Sequence, residues 1–136
     1  MAYWLVKSEP GAWSWKDQVK AGTTDWSGVR NPQAANFMKA MRKGDRAFFY
    51  HSGEERRIVG VVEILREFYP DPKDAGGRFG MVDVKTVAPL PKPVTLAAIK
   101  AERKFSDLAL VRHSRLSVMP IDETSWKLLS RMGGIA

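Results

Sequence analysis

The chain has 136 residues, with 22 Lys plus Arg against 15 Asp plus Glu, a formal net charge of +7 and no cysteine. That length suits one domain with its own core, and an apolar fraction of 44% fits a globular chain, not a disordered one. The lack of cysteine excludes disulfides, thiol catalysis and thiolate metal sites, two histidines (His51 and His113) argue against a zinc or iron centre, and the basic balance favours polyanions, nucleic acid ahead of anionic membrane.

Met1 to Lys7 runs straight into a strand-like pattern without the charged and apolar regions of a signal peptide. The longest strongly apolar run, Ile58 to Leu65, is far too short to span a bilayer. A single domain over residues 1–136 in the cytoplasm, monomeric and without cofactor or metal, is therefore expected.

Tyr3 to Lys7 reads as a first strand. Ser14-Trp15-Lys16-Asp17 opens a short helix with a capping box, ending near Gly22. Thr24 to Asn31 reads as a loop entering a second helix, with Asn31 as cap, Pro32 in the first turn and Gly44 at the end. Ala34, Phe37, Met38 and Met41 form one apolar stripe of that helix. Ala47 to Tyr50 and Ile58 to Leu65 read as buried strands of a hairpin turning at Ser52 to Glu55. Pro70 to Arg78 reads as a flexible loop, and Val82 to Lys85 alternates as a half-exposed strand. The alternate prolines of Ala88 to Pro93 predict a break with an extended path. Thr95 caps a helix to Lys104, Leu116 to Met119 is a short strand, and Asp122 caps a terminal helix that buries Trp126 and Leu129. Strands interrupted irregularly by helices do not give the βαβα rhythm of a parallel sheet. An α+β fold with a small curved sheet or barrel follows.

Four of the five tryptophans lie in the first 26 residues. Trp4, inside a strand, and Trp15, on the inward side of a short helix, are expected in the core. Trp26 sits among polar residues, so its indole is expected to face a ligand, where it could stack on a base. Arg30 adds a planar fork of donors, and Asn31 either contacts a ligand or only caps its helix. Lys7-Ser8-Glu9 and Tyr50-His51-Ser52 end two strands, where functional loops concentrate. Glu9, His51 and Ser52 supply the residue types of a hydrolytic site, but no nucleophile-elbow motif surrounds Ser52. No P-loop or dinucleotide fingerprint appears either.

Trp4-Leu5-Val6-Lys7-Ser8-Glu9-Pro10, Trp26-Ser27-Gly28-Val29-Arg30-Asn31, Gly44-Asp45 and Phe48-Phe49-Tyr50-His51-Ser52 follow one another in a fixed order. Tyr69-Pro70-Asp71, Met81-Val82-Asp83-Val84 and Arg115-Leu116-Ser117-Val118-Met119-Pro120 continue it. This order strongly resembles the EVE domain family, from about Tyr3 to Trp126. Pro32 and Ala35 stand where the family commonly has an aromatic and a basic residue, and Phe79 where it commonly has tryptophan. The resemblance implies a PUA-like fold of about five to six strands with surrounding helices. EVE domains are similar to YTH domains, which read a methylated adenine in RNA, so the resemblance implies a reader of modified bases such as modified cytosine.

In that picture Trp26 and Ser27 match the pocket wall, Ser8 and Glu9 flank it, and Arg30 and Asn31 follow, with Lys7, Val29, Tyr50, His51, Ser52, Arg115 and Ser117 completing the expected site. Arg30 and Arg115 would meet phosphate, aided by some of Lys7, Arg42, Lys43 and Arg112. A non-catalytic module that binds DNA or RNA is the leading expectation. The alternatives are a hydrolase of modified nucleosides, as in ASCH-type relatives of the fold, and a protein-interaction domain.

Overall fold

The computed structural model describes residues 1–135. In chain order it contains β1 (Tyr3–Ser8), α1 (Trp15–Ala21), β2 (Thr23–Asp25), α2 (Pro32–Ala40), β3 (Arg46–His51), β4 (Arg57–Pro70), β5 (Gly80–Thr95), α3 (Leu96–Lys100), α4 (Ala109–Arg112), β6 (Val118–Ile121) and α5 (Glu123–Met132). One mixed sheet runs β2-β5-β4-β3-β1-β6. β1 lies parallel to β3, and every other neighbouring pair is antiparallel. The fold is the expected α+β with a six-stranded sheet, but the strand order stays open. β2 and β6 form its two edges and do not pair with each other.

The helix starts follow from their caps. Ser14 and Asp17 form a reciprocal capping box on α1, and Asn31, Thr95 and Asp122 each accept a backbone N–H at the start of α2, α3 and α5. α2 stops at Ala40, with Met41 as its cap, short of the expected end at Gly44. The helix expected from Thr95 to Lys104 is broken after Lys100 into a separate 3-10 turn, Arg103–Phe105.

Three strand expectations need correction. β2 was expected to be loop; Thr23 to Asp25 instead pairs with Lys85 to Asp83. β4 and β5 run well past Leu65 and start before Val82, forming a ribbon out to Pro70 and Gly80. Most of residues 65–70 are not buried, so no apolar alternation announces that extension. The break at Ala88 to Pro93 is a bulge inside β5, because Gly60 pairs with Pro89 while Ile58 pairs with Val94. Prolines cannot donate to a ladder, and a bulge is where a sheet accepts them.

Two aromatic groups anchor the core. Trp126 of α5 stacks on Phe48 at 3.9 Å between ring centroids and on Tyr3 at 4.5 Å. Phe49 meets the edges of both Trp15 and Trp26, at 5.3 and 5.4 Å. Asp45, a buried carboxylate, accepts the Trp4 indole N–H at 3.0 Å and the Arg42 backbone N–H at 2.9 Å. Trp15 lies directly over Gly60, where a Cβ would collide with its six-membered ring. Gly60→Ala should therefore displace Trp15 and cost about 1–3 kcal/mol, read as a lower midpoint in chemical denaturation.

Candidate nucleic-acid interface

β1 delivers Lys7 and Ser8 to the rim of the sheet, and the chain then folds back on itself. The Ala12 and Trp13 backbone N–H groups both donate to the Glu9 carbonyl at 2.9 Å. The Ser8 hydroxyl donates to the Trp13 carbonyl, so its proton is already engaged. Trp13 is half-buried, and its indole N–H donates to Gln18 Oε1 at 3.0 Å. Gln18 is fully buried and reaches Thr86 Oγ1 with its amide nitrogen at 3.2 Å. The Lys7 ammonium donates to the Ser114 carbonyl at 3.1 Å and sits 5.6 Å over the Tyr50 ring. Burial lowers its pKa from the ordinary value.

The second wall comes from the segment after β2. The Trp26 backbone N–H donates to the Val82 carbonyl at 2.7 Å, which fixes where the side chain enters the core. Gly28 then takes a left-handed conformation, φ +80, open to glycine without strain. Its N–H donates to Asp71 Oδ2 at 3.1 Å, and the Arg30 guanidinium reaches the same oxygen at 3.1 Å. Asp71 Oδ1 accepts the Lys73 backbone N–H at 2.9 Å. Asp71 is 3% exposed and stands at the tip of the β4–β5 ribbon. One carboxylate thus ties the Trp26–Arg30 segment to the 71–79 loop.

Between these walls lies a cleft of about 680 Å³, lined by Lys7, Ser8, Glu9, Ala12, Trp13, Thr24, Asp25, Trp26, Ser27, Gly28, Val29, Arg30, Lys73 and Ser117. That volume falls within the range of small-molecule sites, about 300–1,000 Å³. Two indoles supply apolar surface, Glu9 and Asp25 supply acceptors, and Lys7, Arg30 and Lys73 supply cations. The arrangement suits a planar ring with polar edges that is attached to an anion.

The expected site is only partly assembled. Lys7, Ser8, Glu9, Trp26, Ser27, Val29, Arg30 and Ser117 do line this cleft. Trp26 is not the open indole expected, because it is 8% exposed and packed edge-on against Phe49. Asn31 spends its side-chain oxygen on the Ala34 N–H at 3.0 Å and lies outside the cleft. Tyr50 is buried. His51 Nε2 accepts the Trp15 backbone N–H at 2.9 Å, so its proton sits on Nδ1, 2.9 Å from Glu55 Oε1. Both ring nitrogens are engaged, leaving none to act as a hydrolytic base. Ser52 donates to Glu9 Oε2 at 3.3 Å and does not line the cleft. Arg115 lines a neighbouring hollow of about 310 Å³ with Asn31, Gln33, Arg112, His113, Ser114 and Leu116. Arg42 and Lys43 follow α2 and line neither.

Sequence reading missed four residues: Trp13, Asp25, Lys73 and Asp71. The first three carry no local signal of a shared site. Asp71 had one, its place in the Tyr69-Pro70-Asp71 motif.

Asp71 also gives an acid response. Backbone N–H bonds from Gly28 and Lys73, then Arg30, hold its carboxyl below the ordinary 3.8. The Phe79 N–H does the same for Asp74, Ser14 for Asp17 and Ser125 for Asp122. A depressed folded pKa contributes stability above the unfolded value, and that stability is lost as pH falls through the folded one. The melting temperature should hold above about pH 5 and fall below about pH 4. Asp71→Asn should start lower and fall less steeply; an unchanged profile would deny Asp71 this role.

Among the described residues no three His, Asp or Glu side chains group so as to hold a metal ion, and no helix is long and apolar enough to cross a membrane. The EVE domain family profile matches residues 2–132. A solved structure from Rhodopseudomonas palustris is 57% identical, with TM-score 0.94, covering 99% of this chain and 94% of that one. Human thymocyte nuclear protein 1 is 33% identical over 90% of this chain and 69% of its own length. The structure of human THYN1 protein in complex with 5-methylcytosine containing DNA has TM-score 0.88 at 32% identity, covering 98% of each chain. The YTH domain of the Zygosaccharomyces rouxii MRB1 protein, 16% identical with TM-score 0.61, covering 97% of this chain and 86% of that one, shares the fold alone. By the extent of the family match and the identity to these relatives, the chain belongs to the EVE domain family.

Proposed function

We propose that this protein reads a modified base, a modified cytosine first, in DNA or RNA. The base leaves its stack and enters the cleft between Trp13 and Trp26, while the sugar-phosphate stays on the cationic rim. The observation that carries this reading is the cleft itself: two indoles, two carboxylates and the cations Lys7, Arg30 and Lys73 line one space. The human relative's complex with 5-methylcytosine DNA supports it. Trp13, more open than Trp26, offers a face for stacking, worth about 1–3 kcal/mol per base. Glu9 and Asp25 are acceptors for an exocyclic amino group, as carboxylates are for cytosine N4. Arg112 and Arg115, in the adjoining hollow, extend the cationic track for flanking phosphates.

Extruding a base costs a few kcal/mol, least from a single strand. Binding should therefore be tighter to a single strand with one 5-methylcytosine than to the unmodified strand, and weakest to ordinary duplex. If about three to five phosphates are neutralised, log K should fall against log salt with a slope of about −2 to −3.5. Fluorescence anisotropy over a salt series measures both. Equal affinity for modified and unmodified strands, or a flat salt dependence, would refute the reading.

A further inference from the structure

The two cleft tryptophans differ in one respect that bears on what the cleft accepts. Trp13 has its indole N–H committed to the buried Gln18. Trp26, although 92% buried by its 8% exposure, has an indole N–H with no acceptor among the described residues. Buried indoles usually place this N–H on a partner, as Trp4 does on Asp45. Trp126, also 8% exposed, shares the lack of an acceptor, but it lines a separate hollow with Tyr3 and Arg46, so Trp26 is the one that brings such a donor to this cleft. Nor is the Trp26 nitrogen sealed in, since the one orphaned buried side-chain atom among the described residues is Ser130 Oγ. The nitrogen therefore belongs to the small part of Trp26 that reaches solvent, and Trp26 lines the cleft. Its ring stands at 86° to Phe49 and is packed on most of its surface. Such a side chain offers an edge, not a stacking face.

Building on the base-reading proposal, we infer that Trp26 is a specificity-determining donor, giving its indole N–H to an acceptor on the edge of the bound ring. The preferred occupant is then a planar heterocycle with a ring nitrogen or carbonyl oxygen at that edge, stacked on Trp13. In the free protein water serves this N–H. In the complex the ring acceptor replaces it, and an occupant without one leaves the donor unpaired in a closed site, the costly arrangement for a hydrogen-bonding group.

Affinity is measured for wild type and Trp26→Phe, which keeps an aromatic ring on Phe49 but removes the donor. The probes are a short single strand with one 5-methylcytosine and the same strand with N3 of that base replaced by C–H, or with its O2 replaced by sulfur, a much weaker acceptor. Wild type should lose about tenfold on one of the two replacements, and Trp26→Phe about tenfold on the parent strand, with no further loss on that replacement. Additive losses, or Trp26→Phe binding the parent as wild type does, overturn the inference. A second readout needs no variant: in 15N-labelled wild type the Trp26 indole N–H resonance should move downfield with the parent strand and not with the strand lacking its acceptor. If that resonance stays still while the parent strand binds, the donor role falls and base reading stands. If no strand binds at low salt, base reading falls and takes the donor role with it.

Discussion

Trp26→Ala should cost about 3–5 kcal/mol of stability, the range for truncating a buried aromatic side chain. For a chain of this size that is a fall of roughly 10–20 °C in melting temperature. The reason lies in the packing. Trp26 is 8% exposed, its backbone is pinned to Val82, and its ring closes edge-on against Phe49, which also carries Trp15. Alanine would leave a cavity beside the aromatic centre of the sheet, not merely an emptier pocket. Scanning calorimetry reads the effect directly, and a shift of only a few degrees would show that the indole is a surface wall. A loss of binding in Trp26→Ala therefore says little about recognition, and the phenylalanine variant is the informative one.

Trp13→Ala should behave in the opposite way. This indole is half-buried in the wall of the cleft, and its removal takes away the face that the proposed reading assigns to stacking. Stacking worth about 1–3 kcal/mol corresponds to a loss of about 5- to 150-fold in affinity for the 5-methylcytosine strand. The stability cost should be smaller, about 1–2 kcal/mol, because Gln18 Oε1 loses its donor but gains access to water. Anisotropy and calorimetry on the same sample separate the two effects. Unchanged affinity with normal stability would remove Trp13 from the site.

These contrasts show what is legible in the amino-acid order. Helix starts are local chemistry: Ser14, Asn31, Thr95 and Asp122 each sit a few residues from the N–H they accept, so the reading of each cap holds. The β3–β4 hairpin is legible because both strands are apolar and adjacent. β2 is not, since three polar residues carry no periodic signal and their partner lies on β5. The β4–β5 ribbon is hidden for a related reason: beyond Leu65 most of its side chains meet water, and hydrophobic pattern carries no message there. That ribbon is what brings Asp71 and Lys73 to the cleft.

The candidate cleft was legible as a set of segments and not as a geometry. The Lys7-Ser8-Glu9 and Trp26 to Arg30 stretches do share one cleft. What could not be read is which side chains are already spoken for. Asn31 is held by its helix, His51 by Trp15 and Glu55, and Arg30 by Asp71. Nor does the order of residues reveal that Trp26 closes onto Phe49, since sheet pairing brings them together. Trp13, three residues beyond Pro10 in an unremarkable turn, becomes the more open indole only once Ser8 and Gln18 have fixed it.

The most direct test is where a bound base lies. In a complex of labelled protein with a short strand containing one 5-methylcytosine, intermolecular NOEs from the base and its methyl group should reach the ring protons of Trp13 and the edge of Trp26. They should be absent from Trp126, which packs on Phe48, on the opposite face of β3 from Phe49. NOEs from the base to any surface outside the cleft, with Trp13 and Trp26 silent while the strand is bound, would contradict recognition at this site.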